Sequence, residues 1–365
     1  MINVTKADIP EIEEYMKYLQ HIWEEGWLTN DGELLKLLEI KLRNYLKINN
    51  LIAVTNGTLA IQLALKSLNV KGEVITTPFT FSATTNVILW EGLKPRFADI
   101  DEETFNIDPY DVEKKITDKT SAILAVHVYG NPCNLNELQQ IADDYSLKLI
   151  YDAAHAFGVE YDKKSVLEFG DISTLSFHAT KIFNTIEGGA ITDPSGNYVE
   201  KIKLMRNHGI KSEEEVILPG INAKMNEFQA AMGLCNLKNV NHNIKKRKKI
   251  YHHYLKNLSN ENGIIFQKIN ASRYNYSYMP ICFENEEVRN RVHDKLLEID
   301  VNCRKYFYPL TVDYEYFKSR NVNMVEKYNL KKASEVSSRI LCLPIYPELK
   351  EEFIDKIINK IISII

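Results

Sequence analysis

Between positions 51 and 152 short apolar runs alternate with stretches of helical periodicity, and no other feature restricts the fold as strongly. Residues 51–54, 73–77, 94–98, 121–128 and 148–151 read as strands. Helices are expected from Leu59 onward, from Phe79 to about Trp90, over 111–116 and over 135–145. Strands separated by helices have to be joined by crossovers, which makes the sheet largely parallel and covers both of its faces. The expected fold class is therefore α/β, with a large, mostly parallel, doubly wound sheet domain. Ligands of such sheets gather at the carboxyl ends of the strands. Asn56-Gly57-Thr58, His127 with Tyr129, and Asp152 with His155 all fall at such ends.

A further strand pair, around 172–175 and 190–192, flanks the stretch 176–190, Ser-Phe-His-Ala-Thr-Lys-Ile-Phe-Asn-Thr-Ile-Glu-Gly-Gly-Ala. Solvated lysines usually sit among other charges on helix faces, but Glu187 is the only other charge near Lys181 in this loop. A lone lysine on a tight, polar strand-to-strand loop is suited to act as a nucleophilic amine that forms a Schiff base with a carbonyl compound. The turn at Asn56-Gly57-Thr58 exposes backbone N–H groups at a helix start, a setting for phosphate as well as an ordinary helix cap.

Composition narrows the class. A chain of 365 residues with 45% hydrophobic and 26% charged residues accommodates two domains. Its net charge of −4 argues against nucleic acid as the main partner. The start of the chain has no basic lead into an apolar run and no segment reaches spanning length, so no membrane association and a cytoplasmic location are expected. Five cysteines at wide spacings without a C-x-x-C pair, and histidines without ligand spacing, give no metal site.

Residues 10–46 read as helices broken at 26–32, a break that is either an ordinary loop or part of a binding surface. The basic run 245–249 reads as the solvated face of a long helix rather than a nucleic-acid patch, since no aromatic residues are interleaved. This helix marks the domain junction: an N-terminal arm and large domain over 1–240, and a smaller α/β domain over 241–365. In the latter, strands are expected at 264–266, 274–283 and 340–344, and helices at 287–299 and 351–365. The last helix carries an apolar stripe of Phe353, Ile357, Ile358 and Ile361.

If Lys181 holds pyridoxal 5′-phosphate (PLP), four supports are needed, and the strand ends supply candidates. Asp152 can face the pyridine nitrogen and keep it protonated, and Phe81 can cover the ring. Gly57, Thr58 and Ser176 can bind the phosphate, and His155 can donate near the ring hydroxyl. His155 and His178 each also read as satisfied core histidines.

Taken in order, the segments GWLTNDG, TNGTLAIQLAL, TTPFTFSATTN, FADID, HVYGNPC, YDAAHAFG, GDISTLSFHATKIFNTIEGGAITD, MRNHGI and NAKMNEFQAAMG resemble the DegT/DnrJ/EryC1/StrS family of sugar aminotransferases. The resemblance runs along nearly the whole chain and implies the aspartate-aminotransferase fold (PLP fold type I). It implies Lys181 as Schiff-base lysine and general acid/base, Asp152 as the pyridinium partner, Ser176, Gly57 and Thr58 as phosphate ligands, and Phe81 as the stacking residue. His155 stands where relatives often carry glutamine. Asn222 resembles an asparagine that reaches the phosphate of the neighbouring subunit, which implies a homodimer with shared active sites. Thr29, His127, Tyr129, Glu187 and Tyr308 are expected to face the sugar. Relatives with histidine at the lysine position are dehydratases; Lys181 places this chain with the transaminases. The form SFHATK…EGGA is most similar to enzymes that use L-glutamate to aminate carbon 4 of a nucleotide-linked 4-keto-6-deoxyhexose, such as dTDP-4-keto-6-deoxyglucose, in glycan or lipopolysaccharide O-antigen biosynthesis. Amination at carbon 3, or a non-catalytic regulator that binds PLP or a nucleotide sugar, are the alternatives.

Overall fold

The computed structural model describes residues 1–319 and 323–365. Seven strands form the large sheet: β1 (Ile52–Val54), β2 (Glu73–Thr76), β3 (Lys94–Phe97), β4 (Thr120–Val126), β5 (Lys148–Asp152), β6 (Ile172–Ser176) and β7 (Gly189–Thr192). Their order is β1-β7-β6-β5-β4-β2-β3. Only β7 runs against its neighbours, β1 and β6. Ile75, Ile123, Leu124, Leu149 and Ile150 are fully buried. Both sheet faces are covered, so these strands read as continuous apolar runs instead of alternating ones.

Helix α1 (Ile12–Glu25) lies against the long helix over 227–258, and α2 (Glu33–Leu46), α3 (Gly57–Ser67), α4 (Ser82–Trp90), α5 (Pro109–Lys115), α6 (Leu135–Asp144) and α7 (Val199–Arg206) surround the sheet. One core cluster joins Leu38, Leu42, Leu138 and Leu234 to one face. A second joins Ile61, Leu65, Ile88 and Ile202 to the other. The segment 79–81 precedes α4 rather than opening it, because Phe79 is drawn into a separate aromatic cluster with Phe105, Tyr129 and Phe307.

Helix α8 (Glu227–Leu258) starts in a capping box in which the Asn226 side chain accepts from Gln229 N–H and Gln229 accepts from Asn226 N–H. Val240, Ile244, Arg247, Ile250, Tyr251 and Tyr254 are its buried side, and Lys245, Lys246, Lys248 and Lys249 lie exposed between them. The basic run is thus a solvated face with one inward member: Arg247 Nη1 donates to the Ile345 carbonyl at 2.8 Å.

A second, antiparallel sheet of β8 (Ile264–Phe266), β9 (Met279–Phe283) and β10 (Ile340–Leu343) carries α9 (Glu286–Leu297), α10 (Lys331–Arg339) and α11 (Glu351–Ile362). The expected strand 274–283 forms only in its second half; Tyr276 adopts a left-handed φ of 58° and breaks the run. In α11 the stripe differs by one position from the sequence expectation. Ile354 is buried with Ile357, Ile358 and Ile361, whereas Phe353 is 36% exposed. Among the described residues no helix is long and apolar enough to cross a membrane, and no group of three or more His, Cys, Asp or Glu is placed to hold a metal ion.

Helix α2 has no side-chain cap of its own. The buried Glu227 carboxylate supplies it from α8, accepting from Leu34 N–H at 2.8 Å and Leu35 N–H at 3.1 Å. Glycine at 32 leaves room for that carboxylate, which a Cβ there would displace. Glu227→Ala leaves two amide donors at the positive end of a helix without a partner and is expected to cost about 2–4 kcal/mol. A lowered urea midpoint at unchanged m-value is the expected readout.

Candidate active site

The β6–β7 hairpin presents Lys181. Ser176 pairs with Gly189, Phe177 N–H donates to the Gly188 carbonyl at 2.7 Å, and Thr185 N–H donates to the Phe177 carbonyl at 2.9 Å. Phe177 and Phe183 meet edge-on at 4.9 Å beneath the loop. Inside this frame Lys181 N–H donates to the His178 carbonyl at 2.9 Å. Part of the Lys181 surface reaches solvent, but protein crowds around its amine. Loss of hydration pulls the amine down to about 8, against the opposing pull of the Asp152 charge.

Asp152 ends β5 and is buried. Its Oδ2 accepts from Thr84 Oγ1 at 2.8 Å and its Oδ1 from Ala154 N–H at 3.1 Å. Burial raises its pKa; those two donors and the Lys181 charge act in the opposite direction. Thr84 escaped the sequence reading. Its signal was the pair Thr80 and Thr84 four residues apart, whose hydroxyls meet at 2.9 Å across the start of α4.

His155 follows on the same strand end. Its Nδ1 accepts from Tyr129 N–H at 3.2 Å, which fixes the proton on Nε2. Burial, helped by the Lys181 charge, holds the ring well below the ordinary histidine range, so it is neutral and presents one N–H donor. Across the edge, Asn56 caps α3 by accepting from Leu59 N–H at 2.9 Å. The first-turn N–H groups of Gly57 and Thr58 point out of the helix end. A Cβ on Gly57 would come within 2.8 Å of Ser176 Cβ, so the helix start and the Ser176 hydroxyl form one cradle that a larger residue would fill. Phe81, at the start of α4, is 59% exposed.

Two expected sugar-facing residues are corrected. His127 is wholly buried, stacks on Tyr151 at 4.7 Å, and accepts from Cys133 N–H through Nδ1. Desolvation lowers it to about 3, so it is a neutral core histidine. Tyr129 is also fully buried; its ring lies parallel to Phe307 at 5.8 Å and its hydroxyl donates to the Tyr306 carbonyl. Neither side chain is available to a substrate. Glu187 is exposed, 3.6 Å from His178 Nε2. Thr29 and Asn222 lie on other loops, both exposed, and Tyr308 is half-exposed against the Arg289 guanidinium at 4.7 Å. The structure therefore joins Lys181, Asp152 and His155 in one cluster and Gly57, Thr58 and Ser176 in a cradle at the same sheet edge.

These residues fit PLP. An anion cradle, a buried carboxylate, a neutral imidazole donor and an amine of lowered pKa are the complements of its phosphate, ring nitrogen, ring hydroxyl and aldehyde. Comparison with known proteins agrees. The DegT/DnrJ/EryC1/StrS aminotransferase family matches residues 10–362. The dTDP-4-amino-4,6-dideoxy-D-glucose transaminase of Shigella dysenteriae is 41% identical over 99% of this chain and 98% of its own. The structure of DesI in the presence of its TDP-sugar product superposes with a TM-score of 0.91 at 28% identity, covering 99% of this chain and 92% of that one. NtdA from Bacillus subtilis, solved with bound cofactor PMP, gives 0.89 at 30% identity, covering 97% and 82%. The fold is of the PLP fold type I kind, and the chain belongs to the DegT/DnrJ/EryC1/StrS aminotransferase family.

Proposed function

We propose that the protein is a PLP-dependent aminotransferase that moves the amino group of L-glutamate to carbon 4 of dTDP-4-keto-6-deoxyglucose, forming dTDP-4-amino-4,6-dideoxy-D-glucose. The chemistry rests on one observation above the others: an amine lowered to about 8 within reach of a buried, hydrogen-bonded carboxylate at a sheet edge that also carries an anion cradle. The choice of sugar is supported by the named activity of the 41%-identical relative.

Bound at this edge, the cofactor supplies an electron-accepting ring and a carbonyl carbon that carries the amino group between substrates. The protein's residues do the rest. Asp152, held by Thr84 and Ala154, sets a negative charge against the ring nitrogen. His155 donates from Nε2, with its tautomer set by Tyr129 N–H. Gly57, Thr58 and Ser176 hold the phosphate, and Phe81 closes over the ring. Lys181 Nζ, neutral above about pH 8, takes the α-proton from glutamate and later delivers a proton to carbon 4 of the sugar. Asn222 belongs to a site shared across a homodimer, in which Thr29, Glu187 and Tyr308 contact the sugar. The donor, the dimer and a cytoplasmic location are parts of this proposal.

The first test is colour. Addition of glutamate should bleach the yellow holoprotein and 2-oxoglutarate should restore it; a protein that stays yellow with every amino donor contradicts the reading. Two further outcomes are expected. Gly57→Ala pushes a methyl group into Ser176 and should weaken PLP retention about tenfold, read as the dissociation constant of the cofactor. In the apo protein an amine-reactive probe should label Lys181 half-maximally near pH 8, because the reactive neutral form accumulates as pH rises through its pKa. Ordinary lysines require about pH 10.4.

A further inference from the structure

Arg206, the last residue of α7, is 3% exposed and touches three parts of the molecule. Its Nη1 donates to the Ala53 carbonyl at 2.8 Å and to Glu39 Oε1 at 2.9 Å; its Nη2 donates to Asp31 Oδ1 at 2.6 Å. Glu39 Oε1 also accepts from Ala53 N–H at 2.9 Å. Ala53 lies on β1, the edge strand of the large sheet, so a buried ion pair occupies the edge where another strand would otherwise add. Beyond Ala53 the strand turns through Asn56 into the α3 cradle.

The backbone of Arg206 reaches the same place by a second route. Its carbonyl accepts from Ala223 N–H at 3.0 Å, and the Ala223 carbonyl accepts from Thr55 N–H at 2.9 Å. Asn222 is thereby set beside Asn207, which pairs with it as an isolated bridge. On the other arm, Asn30 and Asp31 adopt left-handed φ values of 65° and 57° and close the 26–32 loop. Trp27 and Leu28 of this loop are more than half exposed, and its second tie is Glu227 N–H to the Leu28 carbonyl at 3.0 Å. Beneath it opens a cavity of about 410 Å³ lined by His21, Trp27, Asn30 and Lys36 among others.

We infer that Arg206 is a positioning residue that holds the 27–30 loop in register with the phosphate cradle, so that acceptor-sugar recognition depends on its Asp31 arm and cofactor retention on its Glu39 arm. This rests on the aminotransferase reading above. Arginine is needed because a rigid fork can face two carboxylates and a carbonyl together, whereas lysine offers a single point charge. The Asp31 side chain is 45% exposed, asparagine keeps an oxygen that can accept from Arg206 Nη2, and Glu39 still pairs with the buried guanidinium, so the charge of this arm can be removed with the fold retained.

The test uses the holoprotein with Asp31→Asn, Glu39→Gln and Arg206→Lys. Asp31→Asn should raise the KM for dTDP-4-keto-6-deoxyglucose about tenfold while glutamate-driven bleaching and PLP affinity stay within about twofold. Glu39→Gln should weaken PLP retention with a smaller change in sugar KM, and Arg206→Lys should show both defects. An unchanged sugar KM in Asp31→Asn overturns the inference. So does a parallel loss of sugar KM, PLP affinity and urea midpoint in that variant, which would mark a merely structural role. Failure of glutamate to bleach the unsubstituted protein overturns the aminotransferase reading and this inference with it, an outcome distinct from the other two.

Discussion

Lys181→Ala is expected to fold, to bind PLP in the Gly57–Ser176 cradle, and to transfer no amino group. The amine sits crowded by protein at a cost in hydration large enough to bring it to about 8, so its removal takes away a strained group and leaves the β6–β7 hairpin bonds in place. Those bonds use the backbone of Phe177, Lys181, Thr185 and Gly188, all of which alanine retains. The loss therefore falls on proton transfer and on the amine's own bond to the cofactor. A positioned general acid/base contributes up to about 10⁴-fold, and a loss of that order or more is expected. Release of 2-oxoglutarate from glutamate in a single turnover measures it. Turnover near the native rate in purified Lys181→Ala would remove the lysine from the mechanism.

Asp152→Asn carries the second large effect, and its sign can be worked out for two observables. The amide is nearly isosteric: its oxygen can keep the bond from Ala154 N–H while its NH2 donates to Thr84 Oγ1, whose hydroxyl turns to Thr80, so the strand end should keep its shape. The negative charge proposed to face the ring nitrogen disappears, and both half-reactions should slow by on the order of 10²–10³. The same charge raises the Lys181 pKa, in opposition to desolvation. Its removal should shift the labelling midpoint of the apo amine from near pH 8 to a lower pH. A slower enzyme with an unmoved midpoint would mean that Asp152 and Lys181 do not sense each other.

The strand ends are legible because a buried parallel strand advertises itself as an apolar run, and the residues just past its carboxyl end form the edge where sites assemble. Asn56, Asp152 and Ser176 can be placed in this way. The same rule fails one strand over. β4 ends at Val126, and a turn with Tyr129 at a left-handed φ of 58° folds His127 and Tyr129 back into the protein interior. Nothing in the local pattern of HVYG distinguishes a side chain aimed at a ligand from one aimed inward. In α11 the helix is legible but its phase is one residue off, since Phe353 and Ile354 are both apolar and packing alone chooses between them. The polar supports are the least legible. Glu227 caps a helix whose Leu34 lies 193 residues away in sequence, and Arg206 grips Glu39 across 167 residues. Such pairings are set by tertiary packing and leave no periodic trace.

The central claim, amino transfer to carbon 4, is tested most directly by product analysis. The purified protein is incubated with PLP, L-glutamate and dTDP-4-keto-6-deoxyglucose, alongside 3-keto isomers and GDP- or UDP-linked 4-keto sugars, and the products are identified by mass and NMR. The predicted result is a dTDP sugar bearing an amine at carbon 4, formed together with one equivalent of 2-oxoglutarate and absent in Lys181→Ala. An amine at carbon 3, or no amino sugar from any member of the panel, would contradict it.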